Sequence, residues 1–240
     1  MNIKNIFAAI GAFAALSFSA AHAAPVNLVT NGGFETLTNG VGQINGKYTT
    51  ATGWTSSGYN FVFNGANADT VGAPGASGTV KLWGNNGLTY SPVGGNFLGA
   101  DGAYLVGAIT QSISGLTVGQ QYNLSFYWGG AQQYGFSGVT TENWTVSLGN
   151  QSFKTATVTD ASHGFTGWMQ QSFTYTATST SALLSFLAAG TPAGEPPFSL
   201  LDGVKLTAVD VPEPSSTALF VIGLVLLGAA VRLRRRAPKA

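Results

Sequence analysis

The chain has 240 residues, 45% hydrophobic and only 8% charged, which excludes a disordered protein, whose low hydrophobicity and high net charge leave nothing to bury. It contains no cysteine, so disulfide frameworks and thiolate metal sites are excluded. A formal net charge of +1 offers no basic face to displace counterions from phosphates, and nucleic acid is excluded as a partner.

In chain order, Lys4 precedes an apolar run from Ile6 to Phe18, and the small-x-small step Ala21-His22-Ala23 follows. This layout predicts a secretory signal peptide over residues 1–23, with Ala21 and Ala23 as the small residues of the cleavage site. The run is shorter than the ~20 apolar residues of a membrane span. The passenger at 24–210 then carries eight carboxylates, Glu35, Asp69, Asp101, Glu142, Asp160, Glu195, Asp202 and Asp210, against Lys47, Lys81, Lys154 and Lys205. Its net charge of −4 disfavours anionic surfaces as well.

Within the passenger, alternation at period two predicts strands. The first falls at 79–83, and the Gly- and Asn-rich stretch 84–101 reads as a surface loop. A strand at 104–113 follows, then one in which Tyr122, Leu124, Phe126 and Trp128 share a face and Tyr127 points the other way. Trp144, Val146 and Leu148 alternate likewise, and Gly149-Asn150 predicts a hairpin turn into Gln151-Ser152-Phe153. Phe173 and Tyr175, then Leu184, Phe186 and Ala188, continue the pattern to a last strand at 198–206. No heptad or fixed-period repeat interrupts it. Short strands separated by Gly, Asn and Ser predict an all-β antiparallel β-sandwich in one domain, with Trp54, Trp128, Trp144 and Trp168 in its core.

Catalytic chemistry finds little to work with. After cleavage the one histidine is His163, in Asp160-Ala161-Ser162-His163-Gly164, and a Ser-His-Asp set needs members that converge through the fold rather than neighbours in one turn. A glycosidase needs two carboxylates flanking a bond. Asp69, Asp101, Glu142 and Asp160 fall in apparent loops with no pattern tying two together. Gly99-Ala100-Asp101-Gly102 lacks the Lys-Ser/Thr and helix of a phosphate loop. No catalytic residue is therefore assigned and the chain is read as a non-enzyme. Sugar rings instead stack apolar C–H faces on aromatic rings while amides and hydroxyls take their hydroxyl groups. Two segments offer that mixture, and Trp83, Tyr90, Tyr127, Gln132, Gln133 and Tyr134 are the ligand-binding candidates.

At the C-terminal end, Val211-Pro212-Glu213-Pro214-Ser215 precedes an apolar run at 217–231, followed by Arg232, Arg234, Arg235 and Arg236. An apolar helix with arginines on its C-terminal flank stops translocation and leaves those charges in the cytoplasm. A simple transmembrane anchor would satisfy this pattern. The order Pro-Glu-Pro, Gly-containing apolar helix, basic cluster at 232–236 also resembles the PEP-CTERM sorting signal of Gram-negative bacteria, here over 211–237. That resemblance implies export, an inner-membrane intermediate, processing by an exosortase-type protease and delivery to the cell surface or extracellular matrix.

The segments Asn31-Gly32-Gly33-Phe34-Glu35, Ile113 to Phe126 and Leu201-Asp202-Gly203-Val204-Lys205-Leu206, with Trp54 between the first two, resemble in series the galactose-binding-like jelly-roll domains of carbohydrate-binding modules. The resemblance implies a sandwich with its first and last strands adjacent and a structural calcium near them, held by Glu35 and Asp202. Gly203 stands where many relatives carry a second acid. Without a metal, Glu35 would cap a turn and Asp202 would accept backbone hydrogen bonds. The resulting expectation is a non-catalytic module binding exopolysaccharide or cell-wall glycan. The alternatives are a structural surface or biofilm-matrix protein without a sugar site and, third, a glycan hydrolase.

Overall fold

Residues that alternate apolar and polar side chains bury one face of a strand, and two such faces close a core. The computed structural model describes residues 26–84, 88 and 90–209. The expected signal peptide with Ala21 and Ala23 lies outside the described residues. So does the C-terminal segment with Pro212, Glu213, Pro214, Arg232, Arg234, Arg235 and Arg236. Among the described residues there is no helix, hence none long and apolar enough to cross a membrane.

The strands in chain order are β1 (Gly42–Gln43), β2 (Thr55–Ser56), β3 (Asn60–Asn64), β4 (Ala73–Gly75), β5 (Gly78–Val80), β6 (Asn96–Asp101) and β7 (Ile109–Ser114). Then come β8 (Gln121–Gln132), β9 (Thr140–Leu148), β10 (Gln151–Lys154), β11 (Val158–Asp160), β12 (Met169–Thr176), β13 (Ser181–Thr191) and β14 (Pro197–Ala208). One sheet has the order β1-β3-β6-β14-β8-β12, the other β10-β9-β13-β7-β2 with β11 also on β9, and β4-β5 is a separate hairpin. Every strand pairing is antiparallel. The N-terminal segment runs along β14, with Leu28 N donating to Leu206 O and Val204 N to Gly32 O, both at 2.9 Å. The first and last segments are therefore neighbours, as expected.

Between the sheets lie Trp54, Ile109, Ile113, Leu124, Phe126, Trp128, Trp144, Val146, Leu148, Leu184 and Phe186. A second core covers the other face of the first sheet, where Phe61, Phe63, Leu82, Phe97, Phe198 and Leu200 pack together. This is why β14 is buried on both faces from Pro197 to Val204. A bulge between Asp202 and Lys205 shifts the β14–β8 register. Leu201 before it and Val204 and Leu206 after it all face the inner core. Gly203 supplies the bulge with φ +59°, a left-handed conformation that costs glycine nothing. Asp202 is thereby left on the face away from that core.

Three expectations are corrected. The stretch 84–101 is not a surface loop throughout, because 96–101 is β6, a strand between β3 and β14 with Phe97, Leu98 and Ala100 buried. A strand covered on both faces has no alternation to read. Tyr104, Leu105 and Val106 are exposed and precede β7, which starts only at Ile109. Of the acids placed in loops, Asp101 ends β6, Glu142 lies within β9 and Asp160 ends β11. Asp101 Oδ1 accepts hydrogen bonds from Ala103 N at 2.8 Å and Tyr104 N at 3.0 Å, which closes the turn after β6. Burial raises its pKa above the usual carboxylate range while these two bonds oppose the rise. Trp54, Trp128 and Trp144 are core residues as expected, and Trp168 packs against the second core.

Candidate functional site

Several segments remote in sequence meet beyond the end of β8. Leu82 bridges to Gln133, Trp83 N donates to Gln132 O at 3.0 Å and Tyr134 N to Lys81 O at 2.8 Å. This pairing sets Trp83 beside Tyr134, with ring centroids 4.3 Å apart. The β11–β12 turn brings His163 to 4.0 Å from the Trp83 ring. The indole Nε1–H donates to Phe136 O at 2.9 Å, so the tryptophan is fixed in orientation. Tyr134 is the exposed ring of the group, 53% accessible. Polar atoms surround it: Ser137 Oγ shares a hydrogen bond with His163 Nε2 at 3.0 Å, Ser137 N donates to Glu195 Oε2 at 3.1 Å, and Gly138 N donates to Ser162 Oγ at 2.9 Å.

The ligand-binding candidates divide among three places. Trp83, Gln133 and Tyr134 come together in this cluster. Gln132 does not belong to its surface: it is fully buried, its Nε2 donating to Gly138 O at 3.1 Å and its Oε1 accepting His163 N at 2.8 Å. Its amide holds two loops together, and its full burial closes it to a ligand. Tyr127 lies on the outer face of the first sheet, beside Gly203. Tyr90 is exposed and packs on Gly65. His163 is the member that sequence reasoning left out, because it was read as part of a solvated turn. A shallow depression elsewhere, lined by Thr30, Thr55, Thr110, Ser112 and Leu183, contains no aromatic ring.

The Ser-His-Asp arrangement is not assembled in the 160–164 turn. Ser162 accepts from Gly138 N, His163 bonds Ser137, and Asp160 is buried with its Oδ2 making no hydrogen bond. The three side chains serve three different contacts.

Glu35 and Asp202 do converge. A side chain at Gly33 would lie 3.6 Å from Asp202 Oδ1 and 3.9 Å from Glu35 Cγ. Glu35 is exposed and its Oε1 accepts Asn96 N at 2.7 Å. Asp202 is fully buried, its Oδ1 accepting Gly203 N at 2.7 Å and its Oδ2 accepting the Ser91 hydroxyl. Burial pushes the Asp202 carboxyl up to about 7, the bonds from Ser91 and Gly203 oppose this, and the Glu35 charge adds to it. A buried carboxylate next to a second acid is a poor place for negative charge and a good one for a cation. The donors are all oxygens, the set that a hard ion such as calcium takes.

Residues 210–236 match the PEP-CTERM protein-sorting motif. No curated protein matches the chain in sequence. Among solved structures, the sandwich is similar to TmCBM61, described in complex with β-1,4-galactotriose, at 16% identity and a TM-score of 0.44, covering 77% of this chain and 99% of that one. It is similar to the CBM22-1 xylan-binding domain of Paenibacillus barcinonensis Xyn10C at 16% identity and a TM-score of 0.41, covering 80% and 99%. It is also similar to the K1 cleaved adhesin domain of Lys-gingipain from Porphyromonas gingivalis at 12% identity and a TM-score of 0.43, covering 74% and 96%.

Proposed function

We propose that the chain is an exported surface protein of a Gram-negative bacterium in which residues 24–210 form a non-catalytic module that binds carbohydrate at the Tyr134–Trp83–His163 cluster. The observation that carries this reading is the half-exposed Tyr134 ring, held against Trp83 and edged by Ser137, His163 and Glu195. An aromatic face with hydrogen-bonding atoms at its rim suits the apolar and hydroxylated sides of a sugar. Exopolysaccharide or cell-wall glycan is the ligand class, and the mildly acidic passenger favours neutral over anionic polymers.

Glu35 and Asp202, with Ser91 beside them, would hold a structural calcium. The ion would neutralise the Asp202 charge and tie the N-terminal segment to β14 and to the loop before β6. The signal peptide at 1–23 would bring the chain across the inner membrane, and the segment at 211–237 would hold it there until an exosortase-type protease acts.

Binding is measured by affinity electrophoresis of the purified chain through a panel of soluble polysaccharides. At least one glycan is expected to retard the chain, with Tyr134→Ala and Trp83→Ala each lowering affinity about tenfold, equivalent to roughly 1.4 kcal/mol. Leu187→Ala, on the outer face of the other sheet, is expected to leave binding unchanged. Absence of retardation on every glycan would overturn the sugar reading in favour of a structural matrix protein, and undiminished retardation of both aromatic variants would overturn the placing of the site at Tyr134 and Trp83.

Sorting is checked in cells by deleting residues 212–240. The passenger is expected in the medium with no membrane-bound precursor. An unaltered precursor pattern would contradict the sorting role.

A further inference from the structure

The inward face of β9 runs Leu148, Val146, Trp144 and then, still alternating, Glu142 and Thr140. Asp160 of β11 stands opposite Thr140 in the ladder, so its side chain emerges on the same face. Thr140 and Glu142 are fully buried and Asp160 is 2% exposed. Gly130 of β8 faces them, and a side chain there would come within 2.5 Å of Glu142 Oε2. The missing side chain leaves room for the carboxylate.

Four oxygens in this nest, Glu142 Oε1 and Oε2, Asp160 Oδ2 and Thr140 Oγ1, find no hydrogen-bond partner beyond one another. Among the described residues, neither acid has a cationic side chain against it. A buried polar atom normally has a partner, and an unpaired buried carboxylate costs several kcal/mol even after relaxation. Burial pushes Glu142 up to about 8, with Asp160 adding to the rise and the neighbouring Thr140 hydroxyl opposing it. It pushes Asp160 up to about 7, against a backbone hydrogen bond from Ala161.

We infer that Thr140, Glu142 and Asp160 form a second cation site, selective for calcium, which closes this end of the sandwich. Calcium accepts irregular oxygen sets of six to eight donors, whereas magnesium demands a near-ideal octahedron, and zinc prefers nitrogen and sulfur. The bound ion neutralises both acids and joins β9 to β11. Asp160 opens the turn that carries Ser162 and His163, so the ion also steadies one wall of the aromatic cluster. This site does not depend on the Glu35–Asp202 pair or on the sugar reading.

The test uses the full chain, purified in detergent, stripped with EDTA and titrated with calcium chloride. Bound calcium is counted by elemental analysis after gel filtration, and affinity is read by calorimetry. Asp202→Asn is expected to retain one calcium, and Glu142→Gln in that background is expected to lose it. Thr140→Val removes one oxygen at nearly constant volume and is expected to weaken the same calcium at least about tenfold, the loss typical even of outer-shell partners. It keeps the test decisive if Glu142→Gln does not fold, which tryptophan fluorescence reports. A folded Asp202→Asn chain that binds no calcium would overturn the second site, and one calcium bound by the unsubstituted chain would then belong to Glu35 and Asp202. Unchanged affinity in Thr140→Val, or unchanged stoichiometry in a folded Glu142→Gln chain, would overturn the second site equally.

Discussion

Replacing Trp144 by alanine is expected to leave the chain unfolded or barely folded at room temperature. The indole is fully buried between the sheets, and its Nε1–H donates to Leu200 O at 3.0 Å, so one side chain of β9 is hydrogen-bonded to β14 of the other sheet. Its ring meets Phe186 edge-on at 5.9 Å. Truncating a buried tryptophan costs about 3–5 kcal/mol through lost burial and the cavity left behind. The Leu200 carbonyl would lose its indole partner, adding about 1–3 kcal/mol. Domain stabilities are only about 5–15 kcal/mol. Trp144→Phe keeps the aromatic contact and loses the donor, and is expected to cost about half as much. Urea titration followed by circular dichroism measures both, and a loss under about 1 kcal/mol for Trp144→Ala would show that the indole does not join the sheets.

A large dependence on pH is expected in EDTA, in an unusual direction. Glu142 is pushed up to about 8, and Asp160 and Asp202 to about 7, with burial the leading cause for each. In the unfolded chain these groups titrate near 4. Between that value and the raised ones the folded chain holds more protons than the unfolded chain, so stability falls as pH rises. Their contribution is complete below about pH 4 and is lost as pH climbs through 7 to 8. The chelated chain is therefore expected to melt about 10 °C lower at pH 8.5 than at pH 5, a shift of a few kcal/mol for a domain of this size. The groups facing them, Asp160 and Thr140 at Glu142 and Glu35 at Asp202, include no cation that would reverse the sign. The double variant Glu142→Gln, Asp160→Asn should lose most of the slope. A melting temperature that stays level or rises over this range would contradict the account.

Much of the sandwich was legible as alternation. Strands β8, β9, β12 and β13 each present apolar residues at every second position, and the Gly149-Asn150 turn links β9 to β10 with Gln151 opposite Leu148. The burial of Trp128 and the opposite facing of Tyr127 followed from the same rule. Strand β6 was hidden because Phe97-Leu98-Gly99-Ala100 is covered on both faces and shows no period. Glu142 was hidden for a different reason. The alternation from Leu148 back through Trp144 did place it inward, but a carboxylate in a polar stretch reads as solvent-facing unless that periodicity is followed past the last apolar residue.

The candidate site was legible in composition and not in arrangement. Trp83 and Tyr134 were singled out as aromatics among amides, yet they are about fifty positions apart. Their contact depends on Leu82 pairing with Gln133. Gln132 carried the same compositional signal and proved to be a buried brace, since an inward position on β8 and the neighbouring loops consume both ends of its amide. His163 entered the cluster through the turn geometry after β11.

The amino-acid sequence by itself determined the class of fold and the sorting character of the C-terminal segment. Local alternation dictates strand faces, and the order of apolar and basic residues is what a sorting segment presents, without reference to distant parts of the chain. Tertiary structure decided which oxygens and rings became neighbours. The Asp202 bulge, the facing of Glu142 by Gly130, the pairing of Asp160 with Thr140 and the contact of the Trp83 ring with Tyr134 and His163 are all matters of register between remote segments. A shift of one residue in a strand reverses every side chain on it, and that choice is made by the packing of both sheets together.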